Sequence, residues 1–470
     1  MFKNVNLFRA IVAVLILFIP LYPKFPLANI SETYVAIRLD DIVVALAVLI
    51  FFIYQLKNKF PVFKIKVTRY FLLYFLAIIV SNVTAYLIFQ TVPRNLLLLH
   101  LFRRFEYMSL FFVALYGIKT SKDLKYPYIT LIIATILVSA YGLGQKYLSF
   151  PVISTMNSEF SKGQLLQMNV WTRISSTFAG HYDLASFMSV VLVIIAGVAL
   201  LTKNIFLKII NWSVWLLAFY ILTSTASRTS LFAFWAGITL TLILLKKYLP
   251  IIPITLLVVF SIVSSKDLNQ RLLATIPALK NQLAFLSGPT AVPTPPIALA
   301  PTLTPTPVPQ ISPAVTPGKP IPTIIHHGPT EEYIPIDADV GVARSGEIRF
   351  NVEWPRAITA LKTNLVTGTG LGSITLATDN DYLRALGESG LLGFITFLGI
   401  FAYFFRETLP LLFKKNKNRY EQLIIILFGA VLVQFGNAVF IDIFEASKTA
   451  YLFWIMMAVY YQLLQFRHQQ

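Results

Sequence analysis

Two arginines stand where arginine is expensive. Arg228 lies in the run STASRTS (224–230), between two apolar stretches, and Arg173 lies in WTRISSTF (171–178), just ahead of another. An ionisable group at membrane depth costs several kcal/mol, so it ordinarily faces a polar cavity or a partner. A planar guanidinium among hydroxyl donors suits bidentate contact with phosphate oxygens. A plainer reading stands beside this one: Arg228 snorkels to the interface and Arg173 sits on a loop surface. Arg349 and Arg356 are seven residues apart and share a face if their helix is continuous, which Pro355 interrupts if it opens a new helix. Arg103 and Arg104 lie inside the apolar run from Leu96 to Gly117 with Glu106 nearby. An ion pair within the membrane and contact with lipid phosphate are equally open for them.

The carboxylates offer proton chemistry. Asp379 opens the run DNDYL (379–383) ahead of an apolar stretch. It is either the cap of a helix or, with arginines nearby, a general base for an alcohol. His181 and the pair His326-His327 are the metal candidates, but no HExxH or paired-carboxylate spacing accompanies them. Asp337 with Asp339, and Asp379 with Asp381, match a short D-x-D pattern that arises easily by chance. There is no P-loop and no G-x-S-x-G, and the glycines at 368–372 do not open a strand–helix unit, which rejects a dinucleotide fingerprint. Cysteine is absent, which excludes disulfides, thiolate metal sites and cysteine nucleophiles.

Long apolar segments must position these residues. The chain has 470 residues, of which 56% are hydrophobic and 13% charged. A soluble domain carries about 25% charged residues, so this composition predicts an all-α polytopic membrane protein. Twelve apolar windows centre on 8–22, 41–56, 70–88, 97–117, 127–146, 182–201, 209–224, 229–247, 250–265, 381–405, 421–441 and 447–465, each a candidate for crossing a bilayer. The first is read as a retained helix, since no small-x-small cleavage site follows it. Alternate connections are short and basic: 57–69, 119–125, 203–208, 246–247 and 406–419. That set, with both termini, is expected in the cytoplasm. It also explains the net charge of +18 better than nucleic-acid binding does.

Spans one to nine fill residues 1–265 and spans ten to twelve fill 381–470. Between them lies a large outward loop, 266–380. Leu268, Leu272, Leu279, Leu283 and Leu286 recur at helical spacing, which predicts an interfacial helix over 267–286. Residues 289–323 hold 12 prolines and predict an extended spacer without a core. Trp354, Ile358, Leu361 and Leu365 predict a further helix, ended by a glycine turn at 368–372. The glycines of ESGLLG (388–393) are expected to allow close helix contact.

The run NLVTGTGLGSITLATDNDYLRALGESGLLG (364–393) resembles the signature of the O-antigen ligase and O-antigen polymerase superfamily. There a helix ends in P-x-x-G-x-G, followed by H/D-N-x-Y-L and then E-x-G-x-x-G opening a span. STASRTS is similar to that family's S-x-S-R hairpin, and RISSTFAGHYDLASF (173–187) to its R-x-x-G-T-F loop. The likeness covers most of the chain outside the Pro-rich insert. It implies a GT-C-like fold and an inverting, metal-independent glycosyltransferase without a cofactor. Such an enzyme takes a glycan from undecaprenyl pyrophosphate at the outer face of the cytoplasmic membrane and passes it to a hydroxyl of a glycan, lipid or protein. By the same resemblance Asp379, Arg228 and Arg173 are catalytic, while Arg349 or Arg356, Asn380, Tyr382 and Ser227 contact substrate. Two positions depart from the pattern: Asp379 stands where the lipid-A-core ligases have histidine, and Val366 where proline is common. A transporter or flippase for a lipid-linked glycan is the alternative, with the same arginines binding substrate in transit.

Overall fold

The computed structural model describes residues 4–29, 36–153, 165–166, 173–265, 269, 349–374 and 378–467. The expected interfacial helix over 267–286 (Asn269 apart), the Pro-rich insert, His326-His327 and the Asp337/Asp339 pair lie outside the described residues.

Each of the twelve apolar windows coincides with a helix. These are α1 (Asn4–Leu21), α2 (Leu39–Lys57), α3 (Thr68–Thr84, extended by a π-turn over Ala85–Phe89), α4 (Arg94–Gly117), α5 (Lys125–Tyr147), α6 (His181–Leu201), α7 (Ile205–Ser224), α8 (Arg228–Leu244) and α9 (Ile251–Ser264). After the long connection come α10 (Trp354–Thr363), α11 (Asp381–Phe413), α12 (Arg419–Asn437) and α13 (Ser447–Phe466). Strand structure among the described residues is limited to two short antiparallel ribbons, Pro26–Asn29 with Ala36–Arg38 and Val152–Ile153 with Leu165–Leu166. Among the described residues seven helices are long and apolar enough to cross a membrane, and three shorter apolar helices accompany them. The architecture is that of an all-α membrane protein.

α6 has the most apolar composition of the long helices and buries most of its surface. It packs against α7, α8 and α12, while α4 packs on α1 and α13, and α3 on α11. Polar contacts sort the helix ends into two groups. At one end Lys448 donates to the carbonyls of Pro20 (3.1 Å) and Thr177 (2.7 Å), and Arg104 pairs with Glu445. At the other end Arg9 pairs with Asp123 (2.5 Å), Lys414 with Glu421 (2.7 Å) and Arg467 with Glu407 (3.0 Å), and Lys247 donates to the Leu200 carbonyl (2.8 Å). Thus α4, α6, α11 and α13 run one way, and α1 and α12 the other.

The region around α10 differs from the spacing-based expectation. The helix stops at Thr363 because the Asn364 side chain accepts from the Val366 and Thr367 amides (3.2 Å each), a local turn that competes with helix continuation. Leu365 therefore falls outside the helix and is exposed. The glycine turn forms as expected, with positive φ at Gly368, Gly370 and Gly372. Gly390 does more than allow close packing, and what approaches it is the 366–368 backbone, not another helix. Its backbone (φ 62°, ψ −169°) breaks α11, a conformation open to glycine alone. The groups freed by the break pair with the glycine turn: Gly370 N donates to Glu388 O (2.8 Å), Leu391 N to Leu365 O (2.9 Å) and Leu392 N to Val366 O (3.0 Å). Close helix contact occurs instead at Gly387, where a Cβ would meet the Ala357 carbonyl and Ala360 of α10.

Candidate functional site

Arg173 precedes α6 in a tight loop that the sequence fixes through side chains. Ser176 adopts a positive φ of 51°, and Gln145 of α5 holds it from both sides. Its Oε1 accepts from Ser176 N (2.7 Å) and its Nε2 donates to Ser176 O (2.9 Å). Thr177 Oγ1 donates to the Pro20 carbonyl (2.5 Å), which ties the loop to the end of α1. Arg173 emerges from this loop with Nη1 2.6 Å from His181 Nε2. A guanidinium has no acceptor, so Arg173 donates and the imidazole accepts.

Tyr182, the next residue, is where the arginines meet. Its hydroxyl lies within electrostatic reach of Arg173 and Arg349. The Arg349 guanidinium also lies 5.8 Å from the centre of the Tyr182 ring, a cation–π distance. Arg228, the first residue of α8 after a reversal at Ala226 (φ 52°), lies within electrostatic reach of Tyr182, Arg173 and Arg349. Three arginines from three distant stretches of chain therefore gather in the neighbourhood of Tyr182.

Asp379 completes this arrangement. Arg349 reaches one of its oxygens, Oδ2, twice: from Nε at 2.8 Å and from Nη2 at 2.7 Å. Neither bond uses Oδ1, and the Asp379 side chain keeps 31% of its surface. Asp379 is not the helix cap. That role falls to Asn380, whose side chain accepts from Leu383 N (2.9 Å). Asp379 instead holds a positive φ of 48°, and its neighbours explain why. Asp442 accepts from Thr378 N (2.9 Å) with one oxygen and from Asn380 N (3.2 Å) with the other, clamping the backbone on both sides. Asp381 strengthens the same joint by accepting from Ile443 N (2.7 Å) and Phe444 N (3.2 Å). Burial pushes the Asp379 carboxyl above the usual carboxylate range; Arg349 opposes the shift and Asp442 adds to it.

Glu353 is a further member of the site that the sequence reading did not single out. It lies four residues after Arg349, in the π-turn Arg349–Glu353 that leads into α10. Burial pushes its carboxyl up to about 7, the charge of Asp379 adds to the rise, and Arg349 opposes it. Its Oε2 is buried without a hydrogen-bond partner among the described residues. The available signal was the four-residue spacing from Arg349, which puts the two side chains on one face of a helical turn. Arg356 lies beside Glu353, with Nη1 buried.

The other expected contact residues are used by the fold. Ser227 is buried, with its hydroxyl 3.1 Å from that of Ser230. Tyr382 donates to the Phe435 carbonyl (2.8 Å). The Arg103/Arg104 pair resolves as a structural one. Arg104 pairs with Glu445, while Arg103 donates to the Tyr107 hydroxyl from Nε (2.9 Å) and Nη2 (2.7 Å). The partner of Arg104 is therefore Glu445, 341 residues away, and not the neighbouring Glu106.

Among the described residues Arg173, Arg228 and Arg349 lie within electrostatic reach of one another and of Tyr182, with the carboxylates of Asp379 and Glu353 beside Arg349. Arginine keeps its charge at any accessible pH, so this cluster of cations persists whatever the pH. It is suited to an anion that spreads charge over several oxygens. Asp379 beside it can take up a proton. No protein-family model matches the chain, and no curated protein matches it.

Proposed function

We propose that the chain is a twelve-span, GT-C-like membrane glycosyltransferase of the O-antigen ligase or polymerase type. It acts at the extracytoplasmic face of the cytoplasmic membrane, with both termini inside. Its donor is a glycan on undecaprenyl pyrophosphate and its acceptor is a hydroxyl of a cell-surface glycan, lipid or protein. The observation that carries this reading is the placing of Arg349 over the Tyr182 ring and in a two-pronged contact with Asp379, with Arg173 and Arg228 within electrostatic reach.

In this reading the acceptor oxygen attacks the anomeric carbon as Asp379 removes its proton. The bond from that carbon to the pyrophosphate oxygen breaks with inversion, and the electron pair leaves with the pyrophosphate. Arg173 and Arg228 neutralise the departing charge, each such donor contributing ~3 kcal/mol in a water-poor site. Arg349 shares this task while orienting Asp379 through Oδ2. The raised carboxyl of Asp379 brings its proton affinity nearer to that of a working base. Neither metal nor cofactor has a part in these steps.

The transporter alternative would use a helix broken at depth to expose backbone groups to cargo. α11 is broken at Gly390, but the freed groups pair with residues 365–370, which favours a fixed joint. The test is transfer from a lipid-linked glycan by the purified protein, with formation of a new glycosidic bond as the readout. Wild type is expected to form the bond, and Arg228→Ala or Asp379→Asn to lose it. Near-wild-type turnover by both variants, or passage of the donor across vesicles without a new bond, would defeat the assignment.

A further inference from the structure

A cavity of about 1190 Å³ lies between α5, α6, α7, α12 and α13. This exceeds the roughly 300–1,000 Å³ of sites for compact ligands. Its interior is walled chiefly by apolar side chains, among them Val190, Ile194, Ile426, Leu452, Phe453 and Met456, with Tyr128, Asn211, Gln434 and Thr449 the polar ones. Three of these are already engaged: Tyr128 donates to Asn211 (2.9 Å) and Gln434 accepts from Ser186 (2.8 Å). Alkyl chains match the apolar walls.

The opening of the cavity has the opposite character. Lys122, Lys125, Lys203, Lys247 and Arg419 line it, drawn from four separate connections. No Asp or Glu is among the lining residues. The two carboxylates nearest in sequence are already engaged: Asp123 with Arg9 and Glu421 with Lys414. This end is remote from the Tyr182 ring, because α6 alone separates them by about 30 Å at 1.5 Å per residue.

An apolar interior with a cationic rim is the complement of an anionic amphiphile. A free phosphate would use only the rim, and a neutral lipid only the interior. We propose that this cavity is a binding site for an anionic phospholipid of the surrounding bilayer. The acyl chains lie against α6, α12 and α13, and the headgroup phosphate lies among Lys122, Lys125, Lys203, Lys247 and Arg419. Basic pockets between membrane helices are a recurring solution for such headgroups. The proposal needs only that the bundle sits in a bilayer, and so stands apart from the glycosyltransferase reading.

The full chain, purified in detergent and stripped of lipid, is the material for the test. Thermal melting and native mass spectrometry would be followed with added phosphatidylglycerol, phosphatidylcholine or inorganic phosphate. Phosphatidylglycerol is expected to bind tightest and to raise the melting temperature most. Lys125→Gln and Arg419→Gln each change an exposed side chain, which leaves folding intact. At ~1 kcal/mol per cation near a headgroup, each is expected to weaken phosphatidylglycerol binding about fivefold and to leave phosphatidylcholine unchanged. Ile194→Trp, which occupies the interior, is expected to displace the lipid. Equal binding of the two lipids, equal stabilisation by inorganic phosphate, or retention of phosphatidylglycerol by the Lys125→Gln/Arg419→Gln double variant would overturn the proposal.

Discussion

Two groups of arginines lie at the same end of the bundle, and they differ in how their carboxylates are held. Arg104 and Arg384 are met by Glu445, Asp442 and Glu388, so that carboxylates outnumber guanidiniums. Arg384 and Glu388 each keep only 3% of their side-chain surface. Arg173, Arg228 and Arg349 gather around a tyrosine with Asp379 as the bonded carboxylate, and that carboxylate remains partly open. The first group is a fastening: it joins α4 and α11 to the α12–α13 connection, and each guanidinium faces a carboxylate within it. The second gathers three arginines beside a carboxylate that is only partly covered. Similar residues therefore differ in how completely the fold encloses them.

The contrast can be broken from either side. The largest expected effect is in the fastening. Glu445→Gln leaves the half-buried Arg104 without its counter-charge, a change that costs ~3 kcal/mol, the lower end for a buried pair. The variant should melt far below wild type in detergent or fail to accumulate; a wild-type melting curve would show that the pair is not a fastening. Arg228→Ala should behave in the reverse way, keeping the wild-type melting temperature while glycan transfer falls ~100-fold or more, as for loss of one electrostatic donor. If stability and transfer fall together, the two groups are not distinct in kind. Gly390→Ala tests the joint between them. An L side chain at φ 62°, ψ −169° is strained, and its Cβ would meet the Val366 carbonyl, so a loss of ~1–3 kcal/mol is expected by thermal unfolding.

The smallest effect concerns Glu353 and pH. Its carboxyl is raised from the ordinary range to about 7, so between those values the folded chain binds more protons than the unfolded one. Stability from this group is therefore present at low pH and is lost as pH rises towards 7. Glu353→Gln should flatten that slope by ~1 kcal/mol, after allowance for partial solvent screening. Melting temperatures from pH 5 to 8 would show it, and an unchanged slope would remove Glu353 from the site's electrostatics.

Much of the bundle was legible in the sequence, because runs of apolar residues encode helices locally and need no knowledge of neighbours. The arginines were legible for a related reason: a charge set against an apolar run is conspicuous wherever its partner lies. Partner choice was not legible. Arg104 has Glu106 two residues away and bonds with Glu445, and nothing in local periodicity encodes that. The clamp by Asp442 was missed because its role depends on where the α12–α13 connection passes, 62 residues from the backbone it holds. The break at Gly390 was read as a packing device because sequence alone does not separate a glycine chosen for its size from one chosen for its backbone freedom. Val366, Leu365 and Glu388 supply the difference through backbone pairing that carries no side-chain signature.

Ownership of the Tyr182 ring is divided along the chain. Arg173, His181, Tyr182 and Arg228 come from the portion before Ser264, whereas Arg349, Glu353 and Asp379 come from the portion after it. Neither portion holds the full set: the first supplies Arg173 and Arg228 without the carboxylate, and the second supplies Asp379 with Arg349 alone of the three arginines. Two polypeptides separated by a cut between Ser264 and Arg349 would each lack function, and only their reassociation through the α3–α11 and α8–α12 seams would restore it. Assembly of the bundle is in this sense a checkpoint: reactive groups come together only once distant helices have found one another.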